Sequence, residues 1–117
     1  MTLQDVIDQL NLTVLTQPVD FAGVTPAAGY TSDLLSCVMA KARAGDVWVT
    51  LQAHPNVVAV ASLLELAAVI VTEGVVPDVE TVHKAHEEGV TLLTTTKTTF
   101  AVAGELTRLG VEASSPG

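Results

Sequence analysis

Apolar and polar positions change period several times along this chain, and each change marks an element. Leu3, Val6, Ile7 and Leu10 recur at helical spacing, which predicts a helix capped by Thr2 and ending at Asn11. Residues 12–15 form a short apolar run that predicts a first strand, broken by Gln17-Pro18. Residues 19–24 predict a second strand. Segment 25–32 has the Pro, Gly, Ala and Thr content of a loop. It supplies Thr31 or Ser32 as the N-cap of a helix over residues 33–43, with Asp33 in its first turn. That helix carries Leu34, Leu35, Cys37, Val38, Met39, Ala40 and Ala42 around most of its circumference. It is expected to be buried on more than one side.

The most regular stretch is central. Residues 47–51 read as a strand, 52–56 as a polar turn, 57–66 as a helix and 67–71 as a second apolar strand. Strand, helix, strand is the unit of a parallel sheet, and a continuously apolar run such as 67–71 suits a strand covered on both faces. Pro77-Asp78 opens another helix that Gly89 stops. Residues 90–93 predict the last clear strand, Thr94 to Thr96 a turn, and 98–109 the final helix. Residues 110–112 add a short edge strand, and 113–117 read as a flexible tail, so that one α/β domain occupies 1–112. Ala59-Val60-Ala61 returns as Ala101-Val102-Ala103, with Leu51 and Leu64 matched by Leu93 and Leu106. Two similar βα units account for that echo.

Composition narrows the function classes. Hydrophobic residues make up 49% of the 117 and charged residues only 15%, too few to cover a surface, so burial of a face in a homo-oligomer is expected. Five basic residues against thirteen acidic ones give a net charge of −8. Nucleic acid and anionic membranes are therefore poor partners, because their affinity comes from phosphate neutralisation. The single cysteine fits a reducing cytoplasm, and no apolar run approaches the ~20 residues of a membrane span. A soluble, cytoplasmic protein is expected.

Candidate chemistry gathers where the strands end. Right-handed crossovers bring residues 52–56, 72–74 and 94–99 to one edge of the sheet, the edge where such folds place ligands. Gln52, His54, Asn56, Thr72, Glu73, Gly74 and Lys97 are the candidate ligand-binding residues there. Helix N-termini beginning near Asn56 and Thr98 would add N–H donors for an anion, although Asn and Thr also favour such positions as plain caps. Residues 23–29 lack the Gly-Lys-Ser/Thr ending of a phosphate loop, and no Rossmann fingerprint occurs. His83 and His86 sit three residues apart, but no third His or Cys is near, so no metal is expected. Cys37 reads as a small core residue. Ser32, His54 and Asp33 supply the inventory of a triad without anything that joins them. No cofactor and no catalytic residue is assigned.

Three segments carry a family likeness: 29–39 (Gly-Tyr-Thr-Ser-Asp-Leu-Leu-Ser-Cys-Val-Met), 47–61 around Trp48 and His54, and 70–74 (Ile-Val-Thr-Glu-Gly). Together they resemble DRTGG domains, which are similar to the N-terminal domain of HPr kinase/phosphorylase and are found fused to CBS pairs. The resemblance spans essentially the whole chain, as a free-standing copy would. It implies a three-layer α/β sandwich with a mainly parallel central sheet. The family's Asp-Arg pair falls at Ala53-His54, and its Thr-Gly-Gly at Thr72-Glu73-Gly74, where Thr72 and Gly74 match. It implies no kinase activity, since the phosphate loop of the kinase belongs to its other domain.

The resulting expectation is a non-catalytic regulatory module that binds a small anionic metabolite or nucleotide at the strand-end edge and signals through a homo-oligomer or a regulatory protein partner. Its rival is a ligand-free docking module acting through the apolar helix 33–43. A third alternative is an enzyme using Glu73 or His54 as acid or base.

Overall fold

The computed structural model describes residues 1–115. Five strands form one sheet in the order β1-β5-β4-β3-β2. They are β1 (Thr13–Val14), β2 (Gly29–Thr31), β3 (Val47–Thr50), β4 (Ala68–Val71) and β5 (Leu92–Thr94). Strands β2 to β5 run parallel, and β1 closes the far edge antiparallel to β5. The helices are α1 (Leu3–Leu10), α2 (Leu35–Lys41), α3 (Pro55–Leu64), α4 (Val79–Glu88) and α5 (Thr99–Arg108).

The layers follow from which side chains each strand turns to either face. Trp48, Val69, Val71 and Leu92 pack with Val38, Val57, Val58, Ala61 and Ala85, so α2, α3 and α4 cover one face. Val47, Val49, Ala68, Ile70 and Leu93 pack with Leu3, Val6, Leu10, Val102 and Leu106, so α1 and α5 cover the other. The expected three-layer sandwich is the observed one. Every residue of β3 and β4 is buried, as an apolar run in the middle of a parallel sheet requires. Among the described residues, no helix is long and apolar enough to cross a membrane.

Local signals predicted most helix ends. Thr2 and Asp5 form a capping box on α1, and Asn11 ends it in the left-handed conformation (φ 54°). Asp78 caps α4, Gly89 terminates it, and Thr98 caps α5. Elsewhere tertiary pairing overrode composition. The strand expected at 19–24 is instead a single 3-10 turn over Phe21–Gly23 that buries Phe21. Inside the expected loop lies β2, whose Gly29, Tyr30 and Thr31 take their register from Val47, Trp48 and Val49.

Two further expectations change. The helix expected from Asp33 begins at Leu35 without a side-chain cap. Val38 within it and Ala42 at its C-cap are buried, while Leu34 and Met39 stay exposed, so one side is buried and not several. The chain end is tied down through Ser115. Glu112 and Ser114 hydrogen-bond to Gly29, and Ala113 pairs with it as a parallel bridge in place of the strand expected at 110–112. Ser114 donates its hydroxyl to the buried Asp46 carboxylate at 2.6 Å, and Arg43 Nε donates to the Ser115 carbonyl at 2.8 Å. The remainder of the expected tail, residues 116–117, lies outside the described residues.

Candidate functional site

All seven candidate residues lie at the carboxyl ends of β3, β4 and β5, but the fold sorts them into two groups. The first is a crossing point in the winding. The connection leaving β4 runs to α4 on one face, and the one leaving the adjacent β5 runs to α5 on the other. Adjacent strands whose connections part in this way open a crevice suited to ligands. Here the chain fills that crevice with its own groups. Glu73 N–H donates to the Lys97 carbonyl at 2.8 Å and Gly74 N–H to the Thr95 carbonyl at 3.1 Å. The Thr72 hydroxyl is fully buried and lies 2.6 Å from that of Thr99. The Glu73 carboxylate accepts the Thr99 N–H at 2.7 Å, and so occupies the place an anion would take on α5.

Glu73 reaches that position because its backbone is left-handed, with φ 65°, a conformation that suits glycine far better. Lys97 turns away as well: its ammonium holds both carboxylate oxygens of Glu105 at 3.0 Å. Thr72, Glu73, Gly74 and Lys97 are therefore all engaged by partners within the domain.

The second group stays open. Gln52, His54 and Asn56 line a cleft of about 450 Å³ together with Asp33, Leu34, Leu35, Ser36 and Val57. The turns after β2 and β3 build it. Asp33 Oδ1 accepts the Thr50 hydroxyl at 2.8 Å and the Leu51 N–H at 2.9 Å, so one carboxylate ties the two strand ends together. Trp48 lies beneath, fully buried, and its indole N–H donates to the Ser32 carbonyl at 2.8 Å. His54, and not Asn56, is the N-cap of α3: its Nδ1 accepts the Asn56 N–H at 3.0 Å. In the neutral ring this leaves the proton on Nε2, a donor for whatever enters.

Asp33 to Ser36 were not among the candidates. Once Gly29–Thr31 is recognised as a strand, Asp33 follows at its carboxyl end, but composition marked that strand as loop. Ser32, Asp33 and His54 do not form a relay, since each bonds within its own turn or to the neighbouring strand end. A second cavity, of about 380 Å³, lies between α4 and the segment after β1, lined by Thr16, Gln17, Val19, His86 and Thr91 among others. It is at the opposite edge of the sheet, away from the candidate residues. His83 pairs with Glu87 at 3.3 Å on the exposed side of α4.

No family model matches the sequence, and no curated protein matches it. A solved structure does: the CBS and DRTGG domains of the regulatory region of Clostridium perfringens pyrophosphatase, complexed with its activator diadenosine tetraphosphate. The TM-score is 0.73 at 20% identity, over 98% of this chain. The fold is DRTGG-related. The chain spans 48% of the length of that neighbour, and at this identity the likeness concerns architecture alone. Thr72-Glu73-Gly74, aligned above with the Thr-Gly-Gly of DRTGG domains, is the segment that closes the crossing point.

Proposed function

We propose that this domain is a non-catalytic regulatory module that senses a small nucleotide-like metabolite in the cleft between the β2–α2 and β3–α3 turns. One observation carries the reading: an open cleft at the carboxyl edge of the sheet lined by Gln52, His54, Asn56 and Asp33. Its volume is within the roughly 300–1,000 Å³ range of small-molecule sites. The likeness to a regulatory region complexed with a dinucleotide activator adds support. Leu34, Leu35 and Val57 offer an apolar wall for a base. The amides of Gln52 and Asn56, with His54 Nε2, offer donors to its acceptor atoms or to ribose and phosphate oxygens. Among the described residues no Lys or Arg lines the cleft, so the base and sugar supply most of the recognition in a single chain.

Calorimetric titration of the purified domain with mono- and dinucleotides tests this. Gln52→Ala and Asn56→Ala should each weaken binding at least fivefold, whereas Lys97→Ala, at a residue held by Glu105, should leave it unchanged. A ligand lost with Lys97→Ala and kept with both cleft variants would move the site to the β4–β5 crossing point. No binding by any nucleotide would overturn the sensing reading.

The docking alternative keeps one observation in its favour, the exposure of Leu34 and Met39 on α2. It predicts a complex that forms without any small molecule.

A further inference from the structure

The outer face of α2 and α3 differs in charge from the rest of the surface. Between Asp33 and Glu65 the sequence holds one carboxylate, Asp46, and that side chain is buried. Two of the five basic residues, Lys41 and Arg43, fall in the same stretch. Apolar side chains are exposed there: Leu34 at 60%, Met39 at 43% and Leu63 at 68%. Glu88 of α4 reaches Ser62 on α3, so for a chain of net charge −8 it is α2, with no carboxylate from Leu34 to Gly45, that lets two copies meet with few carboxylates opposed.

The charges at the ends of α2 also complement one another. Asp33 precedes the helix and Lys41 ends it, so an antiparallel pair about a two-fold axis sets each acid against the other copy's base. Asp33 lies two extended residues ahead of α2, which itself rises about 9 Å from Leu35 to Lys41, so the middle of the pair falls near Ser36 and Cys37. Ser36, Cys37 and Ala40 are small enough for the helix axes to approach to about 8 Å. Only Oδ1 of Asp33 is engaged by Thr50 and Leu51, and Lys41 has no ion-pair partner among the described residues.

We propose that a second copy of this chain packs antiparallel on α2 about a two-fold axis near Ser36 and Cys37, placing Lys41 of the partner subunit beside Asp33 on the rim of the cleft. Each copy then lends the other the cation that its own cleft lacks. The ligand part of this inference rests on the sensing reading above. If that reading holds, an anionic ligand binds the dimer more tightly than the monomer, and association and binding strengthen each other by the same factor.

Sedimentation equilibrium of the reduced protein, over about two decades of concentration, tests the association without any ligand. The expected result is a shift from monomer to twice the monomer mass, abolished by Ala40→Glu and weakened at least fivefold by Lys41→Glu. Circular dichroism of both variants confirms that each is folded. Mild oxidation with diamide provides a second measurement: a disulfide-linked dimer can form only through Cys37, and it should accumulate about tenfold faster in the wild type than in Ala40→Glu. A wild type that stays monomeric overturns the proposal. So does a dimer unaffected by Ala40→Glu, or oxidation at equal rates in the two proteins. A dimer with no nucleotide affinity would sink the sensing reading and leave the association standing. Nucleotide binding to a strict monomer would do the reverse.

Discussion

The two halves of the strand-end edge are built from similar residues and end in opposite states. At β4 and β5, where the winding creates a crevice, Glu73 and Thr72 turn inward and satisfy the α5 terminus and Thr99. At β2 and β3, where no crossing point occurs, Asp33 ties the turns together and leaves Gln52, His54 and Asn56 facing outward. Topology alone would have put the site at the first place. Side-chain hydrogen bonding argues against that place, because a crevice whose donors and acceptors already have partners gains little from a ligand.

The largest test of this contrast is at Trp48, which supports the open half. Trp48→Ala should cost about 3–5 kcal/mol in urea unfolding, as an aromatic truncation in a packed core does, and should abolish nucleotide binding even where the protein stays folded. A variant with native stability would mean that the indole does not anchor the Ser32 turn.

Asp33→Ala comes next. It leaves the buried Thr50 hydroxyl without its acceptor and frees the Leu51 N–H. The expected loss is about 2 kcal/mol. Asp33→Asn, which keeps one acceptor oxygen, should recover about half of it. Equal losses would point to charge as the cause and not to the hydrogen bonds.

The closed half is probed at Glu73. Glu73→Ala loses the bond to Thr99 and keeps the left-handed backbone, for a cost of about 1 kcal/mol. Glu73→Gly loses the same bond but relieves the backbone, so it should lie within about 0.5 kcal/mol of wild type. If alanine proves as stable as glycine, the φ of 65° is not a source of strain.

The smallest effect concerns pH. The Thr81 amide holds the Asp78 carboxyl below the ordinary aspartate value of 3.8, with help from the Thr81 side chain, and the Thr2 amide does the same for Asp5. Carboxyls with a depressed folded pKa add stability that is fully present above their unfolded pKa, about 3.9. It is lost as pH falls through the folded value. Unfolding midpoints should therefore drop below about pH 4. In Asp78→Asn that drop should be shallower, and an unchanged profile would remove the capping bond as its cause.

Much of this protein was determined by short-range pattern. The α1 cap, the Asp78 and Thr98 caps, the Gly89 stop and the buried strands β3 and β4 all follow from residues within a few positions of one another, because capping and period are local chemistry. The parallel sheet between helices follows in turn from their order along the chain. What tertiary structure decided lies beyond that range. Gly29-Tyr30-Thr31 is a strand only because β3 offers it a ladder, and Ala113 to Ser115 is held only because Gly29, Arg43 and Asp46 lie alongside. Lys97 and His54 were both legible as polar groups at strand ends. Lys97 is taken up by Glu105 on α5, whereas His54 is engaged only within its own turn, at the Asn56 amide. A side chain's availability is set by the partner it finds in space, and the identity of the residue does not reveal that partner.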